Sequence, residues 1–433
     1  MDTALIFLIL IGSLVVLMLL GIEVFVAVAV ASSIGLVLFV GQDLRQFLYT
    51  AWDTSNSFDL TALPLFVFMG AVFSGSGIVG SLLRGAERWL GWLPGGTVMS
   101  VLGANAIFGA LCGSSTAATA ALGQTAYPEM EKQGYSPKVS LPSIAVGGVL
   151  SVAIPPSLTL VVYGTFAETS VAQLFAAVIV PGIILAFLFM IMMGTRVKLD
   201  PSLVPPARKY TWQDRFHGIV DLIPWLLSLG VILGVIFGGV MSPTEAAALG
   251  AFISVALAII YRRMSFDILK KSALSAVRIT TMAIFLLFTA KVMGQVFAHV
   301  GLLDLFSNFL TGLDFGKYGT LAVIAVVYII GGMFLHEWAL MVVTLPFIVP
   351  LLTHFGLSLV WFGVWFVMIG ETGLITPPFG MNLFALHAVV PKHDTMKIGI
   401  SCIPFLVPMI FIGALITIFP DLALWLPDLL FSR

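Results

Sequence analysis

Charge is what this chain has least of. Only 9% of its 433 residues are Asp, Glu, Lys or Arg, the formal net charge is -1, and 60% are hydrophobic. Soluble domains carry about a quarter charged residues, so no part reads as a soluble fold, and no polar stretch is long enough for an appended one. The near-zero net charge argues against nucleic acid as a partner. Cysteine is nearly absent: Cys112 and Cys402 lie in apolar context and suggest neither a disulfide framework nor a CxxC metal site. Enzyme and nucleotide signatures are missing as well. His336-Glu337-Trp338-Ala339-Leu340 begins like a zinc-protease helix but has no second His at i+4. Gly312-Leu-Asp-Phe-Gly316-Lys317 is one residue short of a phosphate-cradling loop and has no Ser or Thr after the lysine. No nucleophile and base, and no trio of metal ligands, share one depth. An enzyme is therefore not expected, and any transport is expected to run on a gradient.

What is abundant is apolar sequence. Mean hydropathy is +1.11, and runs near the length needed to cross about 30 Å of hydrocarbon recur from end to end. The chain reads as one all-α polytopic membrane domain with about ten spanning helices. Ala29-Val30-Ala31 resembles a signal cleavage site, but the first residues hold Asp2 and no Lys or Arg, and a second span follows at once. The first run is kept as a helix. Spans are expected at about 4–21, 24–40, 60–80, 171–195, 219–240, 245–261, 274–298 and 398–419. An amphipathic stretch covers 302–315, and Ser242-Pro243-Thr244-Glu245 reads as a capped helix start.

Two further segments, about 139–166 and 358–390, are apolar enough to cross a bilayer yet carry a Pro-Pro pair in the middle. The first reads Ser151-Val-Ala-Ile154-Pro155-Pro156-Ser157, the second Gly373-Leu-Ile-Thr376-Pro377-Pro378-Phe379. Each pair removes two backbone donors and clashes with the preceding turn, so the helix breaks. Inside a membrane, broken backbone is tolerated where protein buries it or where it lines a polar cavity. Ordinary proline kinks are one reading; matched breaks in two halves of a chain point instead to a midplane ion and substrate site.

Two more segments are interrupted by small and polar residues. About 94–127 holds Gly109, Gly113 and Ser114-Ser115-Thr116; about 319–352 holds Gly331-Gly332 and His336-Glu337. Both read as re-entrant hairpins. The positive-inside rule then places the loops near Arg84, Lys132 and Lys138, 196–217, 262–271 and Lys392–Lys397 on the cytoplasmic side. Counting crossings satisfies all five together, with the N-terminus outside and the hairpins entering from opposite faces. The order span, hairpin, Pro-Pro helix, span thus occurs twice with inverted topology: a first repeat at 60–195, a cytoplasmic linker at 196–217, and a second repeat at 274–419.

Cation sites of hard oxygen ligands need carbonyls and hydroxyls. Ser151, Ile154 and Pro156 have the spacing of Gly373, Thr376 and Pro378, so equivalent carbonyls can face equivalent ions. The tips would close the sites: Gly113, Ser114 and Ser115 for the first, Leu335 and His336 for the second. The Ser-Thr cluster has a plainer role open to it, hydrogen bonding between helices. Candidate substrate contacts are Thr116, Thr119, Ser157 and Asn382. Glu371 and Lys291 are ionisable groups at apparent membrane depth, where charge is expensive unless paired or hydrated. Glu371 either tunes a cation or anchors its helix; Lys291 either attracts an anion or pairs with an acid.

Gly113-Ser-Ser-Thr-Ala-Ala-Thr-Ala-Ala-Leu-Gly123, Ile154-Pro-Pro-Ser157, Ser242-Pro-Thr-Glu-Ala246 and Gly373-Leu-Ile-Thr-Pro-Pro-Phe-Gly-Met-Asn-Leu-Phe384 resemble the large membrane subunit of tripartite ATP-independent periplasmic (TRAP) transporters. The resemblance covers essentially the whole chain. It implies an elevator-type secondary importer in the bacterial inner membrane, with two sodium ions held between tips and breaks and no other cofactor. It further implies a small four-helix membrane subunit, a periplasmic substrate-binding protein and a small carboxylate or sulfonate as substrate. Two positions depart from the family pattern: His336 stands where Asp is usual, and Ser151 where Gly is common. No small subunit is fused, so a separate one is expected. Beside this reading stand a stand-alone ion-coupled carboxylate transporter and, less favoured, an intramembrane enzyme.

Overall fold

The computed structural model describes residues 3–206, 208, 210–303, 305–306, 312 and 315–431. The amphipathic 302–315 stretch lies largely outside them, as does Lys209. Helices α1 (Thr3–Leu19) and α2 (Val24–Ile34) form the expected N-terminal hairpin. α3 (Arg45–Ser55), which sequence reading missed, meets α4 (Ala62–Gly75) at a 66° bend. α5 (Val79–Leu90) carries Arg84 and Arg88. α6 (Thr97–Cys112) and α7 (Ser115–Lys132) are the two arms expected of the first hairpin. The first Pro-Pro segment is α8 (Pro137–Ala153) and α9 (Leu158–Phe166), bent by 41°. α10 (Val171–Leu199), α11 (Trp212–Phe237), α12 (Pro243–Ile260) and α13 (Phe266–His299) follow. α14 (Gly316–Phe334) and α15 (Glu337–His354) are the second pair of arms, and α16 (Leu359–Leu374) and α17 (Met381–Val389) flank the second break. α18 (Thr395–Cys402) and α19 (Leu406–Ile418) make the last span, and α20 (Asp421–Phe431) adds a helix that sequence reading did not include.

Among the described residues, seven helices are long and apolar enough to cross a membrane, or up to nine if each bent pair is one span. Length counts both arms of the second hairpin and passes over α1, α2 and α16, which are shorter apolar helices. The chain is an all-helical polytopic membrane protein.

Burial separates centre from periphery. From Trp361 to Leu374 every residue of α16 is buried, and so is every residue of α8 from Val139 to Ala153. A helix apolar on all sides belongs inside, and the two proline-broken helices are the enclosed ones. Aromatic rings pack the second: Trp361 and Trp365 stack at 6.1 Å, and Tyr328 meets Phe366 edge-on at 5.0 Å. α11, by contrast, buries few residues beyond Trp225, Ser228, Ile232 and Ile236, as befits a helix facing hydrocarbon. α4 packs on α12 and α13, α6 on α8, and α14 on α16.

The joints outside the membrane are tied by caps. The Ser242 hydroxyl accepts from Glu245 N at 3.2 Å while the Glu245 carboxylate accepts from Ser242 N at 2.8 Å, the reciprocal box read from sequence. Thr211 and Asp214 repeat the device at the start of α11. Arg88 pairs with Asp221 at 2.9 Å.

Candidate functional site

The first tip is built on a residue that only glycine suits. Gly113 follows α6 with φ +68, a left-handed conformation that side chains resist. Ser114 is extended and caps α7, its hydroxyl accepting from Ala117 N at 3.4 Å. The Gly113 carbonyl accepts from Leu158 N at 3.2 Å. A Cβ on Gly113 would lie 3.4 Å from the Pro156 carbonyl oxygen. Tip and break are therefore in contact.

At the break, Pro155 and Pro156 have no N–H to offer, so the carbonyls of Ser151 and Val152 lose their i+4 helical donors. The Pro155–Pro156 bond is cis. Ile154 and Ser157 are extended, and the Ser157 hydroxyl caps α9, accepting from Leu160 N at 3.4 Å. Ser151 sits against Gly109 of α6.

The second tip uses different residues for the same job. Leu335 is extended after α14, and His336 caps α15, its Nδ1 accepting from Trp338 N at 3.3 Å. Gly373 meets the hairpin backbone to backbone: a Cβ there would stand 2.6 Å from Gly332 Cα and 2.8 Å from the Ile329 carbonyl oxygen. Phe334 and Phe379 pack with ring centroids 5.3 Å apart. Pro377 and Pro378, joined by a cis bond, deprive Gly373 and Leu374 of helical donors. Thr376 N returns one bond to the Gly373 carbonyl at 3.1 Å, and the Thr376 hydroxyl donates to the Thr372 carbonyl at 2.6 Å.

Side chains then join the two halves. Asn382 Nδ2 donates to Ser115 Oγ at 2.7 Å and to the Ala145 carbonyl at 3.2 Å. The Thr159 hydroxyl donates to Glu337 and accepts from Trp338 Nε1 at 3.0 Å. Glu337 and Glu371 are both buried, 5% and 1% exposed.

A cavity of about 700 Å³ lies beside the tips, lined by Ser114, Thr116, His336 and Trp338 on one side and by Ser74, Ser272 and Ser275 of α4 and α13 on the other. Asp267 and Lys271, paired at 2.7 Å, also line it. Of the sequence candidates, Ser114, Thr116 and His336 face this space. Thr119, Ser151, Ser157 and Asn382 are fully buried and do not line it. Lys291 lies elsewhere, in a second cavity of about 690 Å³ with Asp53 and Glu168. Sequence reading missed the Thr159–Glu337–Trp338 link. The signal is present in the sequence: Glu337 is an acid in an apolar run, at the interruption of the second hairpin.

A profile of the family described as tripartite ATP-independent periplasmic transporter, DctM component, matches residues 11–422. The C4-dicarboxylate TRAP transporter large permease protein DctM of Pseudomonas aeruginosa is 30% identical, over 93% of this chain and 94% of that protein. The isethionate TRAP transporter permease protein DctMQ of Oleidesulfovibrio alaskensis is 32% identical, over 78% of this chain and 53% of that protein. In fold, the chain is similar to the crystal structure of the Alcanivorax borkumensis YdaH transporter, with a TM-score of 0.61 at 14% identity, covering 88% of this chain and 90% of that one.

Proposed function

The chain belongs to the DctM family of TRAP transporters as a large permease subunit, and from that premise we propose that it drives sodium-coupled import of small organic anions. The observation that carries the reading is the contact of each hairpin tip with a proline-broken helix: Gly113 on Leu158, Gly332 on Gly373. Proline leaves the carbonyls of Ser151, Val152 and Leu374 without helical donors, and backbone oxygens are hard ligands that suit sodium better than any softer metal. The first site is assigned to Gly113, Ser114, Ser115, Ser151, Ile154 and Pro156. The second is assigned to Leu335, His336, Gly373, Thr376 and Pro378. Among the described residues no group of three His, Cys, Asp or Glu forms a metal cluster, and carbonyl sites do not require one.

In this reading substrate enters the cavity beside the tips. Ser114 and Thr116 offer hydroxyls there, and the N-termini of α7 and α15 bring partial positive charge to it. The scaffold is α1, α2, α11 and α12, against which the repeats at 60–195 and 274–419 move as an elevator. Positive-inside charge puts the 196–217 linker in the cytoplasm and the N-terminus in the periplasm. A substrate-binding protein and a small membrane subunit complete the transporter, in the bacterial inner membrane. The relatives' names point to carboxylates or sulfonates as substrates.

The test is uptake into proteoliposomes holding the chain with its small subunit and its binding protein outside. Labelled succinate and isethionate are offered under an inward sodium or potassium gradient. The expected result is uptake of one of them with sodium and binding protein together. Uptake by this chain alone would favour the stand-alone transporter, and uptake indifferent to sodium would overturn the coupling.

A further inference from the structure

Sodium held by backbone oxygens of the second tip leaves the imidazole of His336 without a task. His336 Nδ1 accepts from Trp338 N at 3.3 Å. A ring nitrogen that accepts carries no hydrogen, so the ring holds its hydrogen on Nε2, where it is a donor. Among the described residues Nε2 has no hydrogen-bond partner, and it is not sealed from solvent. His336 lines the cavity beside the tips. The helix cap therefore fixes the ring through one nitrogen and presents a donor to that space with the other.

The rest of the lining shows what such a donor meets. The Ser114 and Thr116 hydroxyls lie 3.3 Å apart, so one of their two hydrogens bridges them and the other is left for the cavity. Trp338 Nε1 donates to Thr159 at 3.0 Å, so the indole shows the cavity carbon rather than its N–H. Its ring stands edge-on to His336, with centroids 5.2 Å apart. Ala117, Ala120, Ile279 and Met282 continue the apolar lining. Asp267 and Lys271 also line the cavity, and they pair with each other. Among the described residues no guanidinium and no unpaired ammonium lines it, so the oxygens of an anion there are met by neutral donors.

We propose that the His336 side chain is a specificity-determining substrate contact. Its Nε2–H binds one oxygen of a carboxylate or sulfonate head, the Ser114–Thr116 pair binds another, and the carbon body lies over Trp338. The nature of the head rests on the organic-anion reading above.

Two substitutions separate the roles of the two ring nitrogens. In H336N an amide oxygen takes the place of Nδ1 at the cap, since Asn is a good N-cap residue, but no atom reaches as far as Nε2. H336D keeps the cap and offers the cavity only negative acceptors. Thermal unfolding of the purified full chain with its small subunit is followed in sodium, with succinate or isethionate added from micromolar to millimolar concentration at equal ionic strength. An anion that binds only the folded state raises its stability.

The unaltered chain is expected to respond to one of the two anions, which also tells a carboxylate from a sulfonate. Without anion, H336N should unfold with the unaltered chain and keep the same difference between sodium and potassium. It should need at least about tenfold more anion for the same rise, and H336D should show no rise. An equal response in all three would overturn the role of His336 and leave the organic-anion reading standing. No rise in the unaltered chain with either anion would overturn that reading and this contact with it. Should H336N fail to fold, nitrogen NMR of the unaltered chain with labelled histidine decides. One of the six imidazoles, with its hydrogen on Nε2, should shift when the anion is added, and six unmoved imidazoles would overturn the proposal.

Discussion

The two halves solve one backbone problem with different side chains. In both, a helix is broken by a cis Pro-Pro pair and a hairpin tip is laid against the break. In the first half the parts are neutral and small: Gly113 turns the tip, Ser114 caps the helix leaving the tip and Ser157 the helix leaving the break, and Ser115 accepts from Asn382. In the second half the tip is capped by His336, the approach is glycine against glycine, and both buried acids, Glu337 and Glu371, belong to it. The lesson is that the two halves share a backbone pattern, a proline break with a hairpin laid against it, while the buried acids lie on one side only.

That asymmetry makes the halves respond differently to substitution. The largest effect is expected at Gly373→Ala. A Cβ 2.6 Å from Gly332 Cα meets backbone that cannot rotate away, and overpacking of this kind costs about 3 kcal/mol. Denaturation should show the loss, with the sodium response reduced. Thr159→Val comes next, because it deletes the hydroxyl shared by Glu337 and Trp338. Leaving buried partners unsatisfied costs about 2 kcal/mol, seen as a lower unfolding temperature. Gly113→Ala should cost less, about 1–2 kcal/mol for a side chain held left-handed. If Gly113→Ala proves worse than Gly373→Ala, the view of the second approach as the tighter one is wrong.

The smallest effect tests a place outside both halves. Ser242→Ala removes one partner of a reciprocal cap and should cost about 1 kcal/mol without altering the response to sodium. Thermal unfolding in both salts is the readout, and an unfolding temperature equal to that of the unaltered chain would contradict this role of the cap.

Much of this was legible in the residues. Proline pairs break helices whatever surrounds them, so α8/α9 and α16/α17 follow from the sequence alone. Gly113 before Ser114 announces a turn and a cap, and Ser242-Pro-Thr-Glu245 announces a helix start. What was not legible depended on distance in space. Nothing near Ser115 in the chain says that Asn382 reaches it; by residue type Asn382 is a candidate substrate contact, and the structure buries it against Ser115. α3 escaped notice because its polar face interrupts the apolar run used to find helices. Thr119 and Ser157 read by type as substrate contacts, yet Thr119 packs against Gly148 and Ser157 caps α9.

Sodium held at both breaks should show in thermal unfolding of the purified protein in sodium and in potassium at equal ionic strength. An ion that binds only the folded state must raise its stability once its concentration exceeds the dissociation constant. A rise specific to sodium is expected, diminished by Gly113→Val and again by Gly373→Val. Identical unfolding temperatures in the two salts, from millimolar to molar concentration, would contradict it.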